Sequence, residues 1–152
     1  MDVRYVLFLD GGGTTGWALY DREKDEVQLK QLDFNELCYD LALWMDNHGT
    51  QTVIGAEKFV ITPMSARKDK DGFAIQVYGV ARFMSVRYNA TEFIGDQNSS
   101  SALHFVPDAW LKRIGWYQKN FPNGNDAARH VIKFLERRGC LPQHIRGKIV
   151  PE

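Results

Sequence analysis

Apolar positions along the chain follow two rhythms. Tyr5 to Leu9 is a mostly apolar run that ends on Asp10. Three glycines and two threonines follow, and then a second run, Trp17 to Tyr20. Short apolar runs bounded by turn residues read as strands, so the two form a hairpin with an acid at its turn. From Glu26 to Leu32, Val27, Leu29 and Gln31 alternate against charged or polar neighbours, which predicts a third antiparallel strand.

The rhythm then changes. Asp33 is an N-cap candidate with Glu36 as its capping-box partner, and Leu37, Leu41, Trp44 and Met45 recur at helical spacing up to Asn47–Gly49. Gln51 to Val60 is almost continuously apolar apart from Glu57, the pattern of a strand buried between helices. Thr62 to Gly72 has neither period and reads as a mobile loop. A second helix is expected over Phe73–Tyr88, with Gly79 as a small packing residue, followed by a short strand at Ala90–Ile94 and a polar loop at Asp96–Ser101. An extended piece at His104–Val106 precedes a brief helix, Ala109–Ile114. Pro and Gly in the aromatic-rich stretch Trp116–Asn125 argue for a loop. The last strong helix starts at Asp126 and stops at Gly139.

The order is thus β-β-β-α-β-α-β-α, an α/β fold with a five-stranded mixed sheet, three antiparallel strands and then two parallel ones, flanked by helices. At 152 residues one ordinary domain is expected, residues 1–140, with a basic and flexible tail at 141–152. The 19 Lys plus Arg balance 19 Asp plus Glu, so overall charge gives no argument for a polyanionic partner. Two distant cysteines, no apolar leader and no long apolar run lead to the expectation of a reduced, cytoplasmic protein with no membrane partner.

The chemistry begins at Asp10. A carboxylate closing a buried strand is costly unless a partner compensates it, and a cation is the natural partner. Gly11, Gly12 and Gly13 let a phosphate approach, while Thr14 and Thr15 offer hydroxyls and amides. The same features also suit an acid that only caps a turn, and the motif alone does not separate a nuclease from a nucleotide-binding kinase hairpin. Further acids sit on the fourth strand, Glu57, and in the first turn of the last helix, Asp126. Three carboxylates on three core elements converge if the first and fourth strands are neighbours and the last helix packs across them. Converging acids suit Mg²⁺, a hard cation that takes oxygen ligands. Two such ions can stabilise both the attacking and the leaving oxygen of a phosphoryl displacement.

Asp10 in DGGGTTGWALYD, Glu57 in VIGAEKF and NDAARHVIKFL near the end of the chain resemble the ribonuclease H-like fold. Within it they look most like the RuvC family of Holliday junction resolvases, and the GGTTGW form is similar to the phage-borne branch. The resemblance covers three motifs and the element order of nearly the whole chain. It implies a Mg²⁺-dependent endonuclease, commonly a homodimer, that resolves four-way junctions or related branched DNA, in the host cytoplasm if phage-encoded. Mn²⁺ would substitute for the two Mg²⁺ ions. Asp10, Glu57 and Asp126 carry over as catalytic metal ligands. Where the family tends to have Asp or His three residues before the last acid, this chain has Asn123, which can offer a carbonyl oxygen but no charge. Asn123 is therefore a fourth-ligand candidate or a turn residue. Asn125 and His130 are the other local candidates, His130 with a structural role as its alternative.

Contact with DNA phosphates is expected from Gly12, Gly13, Thr14 and Thr15 at the hairpin and Lys58 beside Glu57. Arg67, Lys68 and Lys70 in the loop and Lys112 and Arg113 on the brief helix complete the set. A solvated loop explains the basic run equally well. Phe73 and Tyr78 either wedge into a junction or pack in the core, and the second helix is expected to pair with its twin around Val80 and Met84. The competing classes are an actin-like sugar kinase or nucleotide-binding module, which needs a second lobe, and a non-catalytic ribonuclease H-like scaffold, which needs no acids.

Overall fold

A computed structural model describes residues 1–69, 71–98, 102 and 105–149. Five strands, β1 (Tyr5–Asp10), β2 (Thr15–Asp21), β3 (Glu26–Leu32), β4 (Thr52–Ala56) and β5 (Glu92–Ile94), form one sheet in the order β3-β2-β1-β4-β5. β1–β2 and β2–β3 pair antiparallel, β1–β4 and β4–β5 parallel. This is the mixed sheet expected of the ribonuclease H-like fold.

The central strands are buried on both faces, and the two-residue period of a strand sorts their side chains. Tyr5, Leu7 and Leu9 of β1 meet α1 (Phe34–His48) and α3 (Phe73–Arg87), with Leu37, Leu41, Val77 and Ala81 in the same cluster. Val6 and Phe8 point the other way, into a core shared with Ala127, Val131, Phe134 and Leu135 of α5 (Pro122–Arg137). α1 opens with the expected capping box: Glu36 N–H donates to Asp33 at 2.8 Å and Asp33 N–H to Glu36 at 3.1 Å.

Several expectations change. The mobile loop at 62–72 contains a short helix, α2 (Pro63–Lys68), capped by Thr62 and Ser65. The last helix starts at Pro122, four residues before Asp126. In both helices proline occupies the first turn, where its fixed φ is favourable and its missing N–H has no partner to lose. A Cβ added at Gly79 would meet nothing within 4 Å among the described residues, so no close approach there requires glycine. Val80 and Met84 are half-buried against the α1-side core, so the exposed apolar stripe of α3 is Ile75, Phe83 and Val86 instead. Phe73 and Tyr78 pack on Phe34 and Phe93.

The extended piece expected at His104–Val106 lies partly outside the described residues, and Phe105 is helical. Asp108–Ile114 is α4, and beyond Gly139 a further helix, α6 (Gln143–Ile149), buries Ile145 and Ile149 against α4. Cys38 and Cys140 are free thiols. Among the described residues no helix is long and apolar enough to cross a membrane.

Candidate active site

The β1–β4 register decides where the first two acids meet. Leu9 stands opposite Ala56, and the Glu57 amide donates to the Leu9 carbonyl at 3.0 Å, continuing the pairing one step past the strand. Asp10 and Glu57 therefore lie side by side at the carboxyl ends of adjacent parallel strands. They also share a face. Asp10 follows Val6 and Phe8 in the two-residue period, Glu57 follows Val53 and Gly55, and both rows face α5. The two carboxyl groups are near enough for Glu57 to raise the Asp10 pKa through hydrogen bonding as well as through its charge.

α5 contributes the rest. It lies across β2 and β1, and its N-terminus is locked to the glycine hairpin at close range. A Cβ on Gly16 would sit 1.9 Å from the Asn123 carbonyl oxygen, so only glycine allows this approach. Asn123 donates its side-chain amide to the Thr14 carbonyl at 3.0 Å, and the Asn123 and Gly124 amides donate to Gln31 at 2.6 and 3.1 Å. Asn123 thus clamps the hairpin. Asn125 is buried and spends both ends of its amide on the Gln118 backbone, at 2.8 and 2.9 Å, closing the aromatic-rich loop.

Asp126 and the residues three and four positions on face the acid pair. The buried Arg129 forms ion pairs with Asp126 and Asp108, and donates to the Val106 carbonyl at 2.8 Å. His130, wholly buried, lies with Nε2 3.3 Å from the Glu57 carboxylate and Nδ1 3.0 Å from the Gln97 side chain. Arg129, Asp108 and Gln97 were missed from sequence. The signal for Arg129 was its position one turn from Asp126 on the same face.

The electrostatics are those of crowded acids. Burial, then the hydrogen bond and charge of Glu57, then Asp126 hold the Asp10 carboxyl well above the usual carboxylate range, and Arg129 only partly offsets them. Burial also raises Asp126, with Arg129 pulling it down and Glu57 adding to the rise. Among the described residues no three His, Cys, Asp or Glu side chains are drawn together as a ready metal cage. Asp126 is engaged by Arg129. The donor set nevertheless fits a hard divalent cation: oxygen ligands only, with like charges in contact whose crowding a cation would relieve.

The expected DNA contacts separate. Gly13 and Thr14 are exposed at the hairpin tip and Gly12 is half-exposed. Thr15 is a correction: as the first residue of β2 it is wholly buried, its hydroxyl has no hydrogen-bond partner among the described residues, and its side chain faces no solvent. Lys58, Arg67 and Lys68 are exposed on the segment leaving Glu57, and Lys112 and Arg113 on the last turn of α4. Lys70 lies outside the described residues. Lys119, not singled out from sequence, lines a cleft of about 260 Å³ beside Asp126, Asp108 and Arg129. The larger groove of about 670 Å³, between α3, β5 and α5, is lined by Arg82, Glu92, Phe93 and Arg138 rather than by the acids.

Sheet order and helix placement together give a five-stranded mixed sheet flanked by helices, with carboxylates at the ends of β1 and β4. Neither a family model nor a curated protein matches the chain. Among solved structures, T. thermophilus RuvC in complex with Holliday junction substrate aligns with 90% of this chain and 97% of its own, at 17% identity and a TM-score of 0.47.

Proposed function

We propose that this protein is a Mg²⁺-dependent endonuclease that cuts branched DNA, four-way junctions above all, and that it belongs with the phage-type RuvC-like resolvases its motifs resemble. The observation that carries the reading is the juxtaposition of Asp10 and Glu57 at the carboxyl ends of neighbouring parallel strands, with Asp126 in their field. Such a pair is costly by itself and becomes favourable when a divalent cation neutralises it. Asp10 and Glu57 would hold the ion, with Asp126 as the third carboxylate. When bound, Mg²⁺ or Mn²⁺ would supply charge stabilisation to the attacking and leaving oxygens of an in-line phosphodiester displacement.

The chain's own part is placement. The exposed hairpin tip at Gly13 and Thr14 leaves room for a strand to approach Asp10. Lys58, Arg67, Lys68 and Lys119 offer cations on either side of the acids, and phosphate contact of this kind supplies most non-specific affinity. A four-way junction presents two symmetric cut points, so a chain with one site acts on it as a homodimer. The exposed Ile75, Phe83 and Val86 on α3 form the surface for pairing two copies.

Labelled four-way, three-way, flap, duplex and RNA–DNA hybrid substrates, each in Mg²⁺ and in EDTA, test the reading. Preferential, Mg²⁺-dependent cutting of the four-way junction is the expected result, and absence of any Mg²⁺-dependent cutting would overturn it. Sedimentation tests the dimer. A monomer that does not shift when a junction is added would remove it and favour a flap- or fork-cutting enzyme that works alone.

A further inference from the structure

The β-sheet end that carries the acids also carries a fully buried imidazole that the proposed chemistry leaves unused. His130 is 0% exposed, and its surroundings are built from four separate elements. Nε2 faces the Glu57 carboxylate at the end of β4, 3.3 Å away, and Nδ1 faces Gln97, which follows β5 and is itself 2% exposed, at 3.0 Å. Gln97 is anchored in turn, because its carbonyl accepts the Lys58 amide at 2.6 Å, next to Glu57. The imidazole lies parallel to the Phe8 ring, 5.8 Å between centroids and 12° between planes. Phe8 has its place because residue 55 is glycine: a Cβ there would lie 2.2 Å from the ring. β1, β4, the segment after β5 and α5 therefore all fix one side chain.

An ionised carboxylate has acceptors only, so the hydrogen between the two groups belongs to His130 Nε2, and Nδ1 accepts from the Gln97 amide when that amide presents its NH2 in place of the Oε1 that lies 3.0 Å away. A donor held rigidly from behind restricts the Glu57 carboxylate to one orientation, with one oxygen on His130 and the group in contact with Asp10. Resting on the metal-dependent reading above, we propose that His130, anchored by Gln97, is a positioning residue that sets the Glu57 carboxylate in the orientation in which it binds the divalent ion. Partners hydrogen-bonded to ligating groups commonly change metal affinity or activity by about 10–100-fold when removed.

The test uses the full-length protein with Mn²⁺ as the probe, its binding read by electron paramagnetic resonance without DNA, and thermal melting in EDTA as the control for folding. His130→Phe keeps a ring against Phe8 and removes the donor. His130→Gln keeps a side-chain N–H. Gln97→Leu removes the anchor behind Nδ1. The expected result is Mn²⁺ affinity lowered about 10–100-fold in His130→Phe, lowered less in Gln97→Leu, and substantially recovered in His130→Gln. Junction affinity in EDTA stays at the wild-type level, and kcat falls while KM for DNA does not. Wild-type Mn²⁺ affinity in folded His130→Phe overturns the inference. Should His130→Phe not fold, wild-type affinity in Gln97→Leu does the same. A wild-type protein that binds no Mn²⁺ overturns the metal-dependent reading itself, a result distinct from a wild type that binds and variants that bind equally well.

Discussion

The two ends of the sheet treat the same residue type in opposite ways. At the end where β1 begins and β2 finishes, three acids each have a basic side chain at hand: Arg4 bonds Asp21 at 3.0 Å and Glu23 at 2.9 Å, and His144 meets Asp25 at 2.7 Å. Asp21 is partly desolvated, which alone would raise its pKa, yet the Arg4 guanidinium and the Lys24 and Glu23 amides hold it below the usual range. At the opposite end Asp10 has Glu57 and Asp126 as its charged neighbours, with Arg129 committed to Asp126 and Asp108, and it is held well above that range. Partnered acids contribute to the fold, whereas crowded acids weaken it. The second arrangement persists only where something other than stability maintains it.

The largest effect on this contrast is expected from removing an acid of the crowded end. Asp10→Asn or Glu57→Gln should lower the rate of junction cleavage by at least ~10³-fold, since metal-bound charge stabilisation is worth several kcal/mol. Asp126→Asn is expected to follow. Electrophoretic shifts in EDTA should show DNA binding unchanged or tighter, because a repulsive charge has gone. Near wild-type turnover in any one of them would remove that residue from the ligand set.

Next in size is the seat of α5. Gly16→Ala forces a methyl group into the Asn123 backbone, and the helix bearing Asp126 must shift. Overpacking of this kind costs about 1–3 kcal/mol, readable in denaturant melts. Cleavage should fall more than stability does, because the shift separates α5 from the acids. An unchanged melting curve with full activity would show that the helix seat tolerates the shift.

A smaller effect should appear in the pH dependence of the metal-free protein. Asp10 is raised, so the native state takes up its proton at higher pH than the unfolded chain, whose value is near 3.8. Its contribution favours folding fully below that value and is lost as pH rises through the folded pKa. Asp21 is lowered, so its contribution is present above 3.8 and is lost as pH falls. In EDTA, the melting temperature should therefore rise on mild acidification from neutral pH and fall again in strong acid. Asp10→Asn should flatten the first limb, and Mg²⁺ should suppress it. A melting temperature that only decreases on acidification would contradict the assignment to Asp10.

The smallest change is expected at the far end. Arg4→Met removes exposed ion pairs screened by solvent, and exposed pairs of this type contribute little. The melting temperature should barely move and cleavage should not change. A large loss of either would mean that the partnered end is coupled to the acids.

Much of this was legible before any coordinates. Because strands have a period of two, Val6, Phe8 and Asp10 had to share one face, as did Val53, Gly55 and Glu57, and helical spacing put His130 one turn after Asp126 on the same face. The order of elements along the chain followed from the run of apolar segments, and capping chemistry located the start of α1, whereas the place of β4 beside β1 was seen only in the sheet. The helix boundaries at Pro63 and Pro122 were missed because proline reads as a breaker although it is accommodated in a first turn. Burial of Thr15 and of Val80 and Met84 was missed because the face an element presents depends on what packs over it. Gln97 and Asp108 carry no local signature at all. His130 meets Glu57 across 73 residues and Gln97 across 33, and Arg129 meets Asp108 across 21. Local patterns determined which residues could line the site, since periodicity and capping act within a few residues. Which carboxylate gains a buried donor, which is bound by arginine and which is crowded by other acids was decided by the tertiary structure alone. Burial and hydrogen-bond partners are properties of the packed neighbourhood, not of the segment.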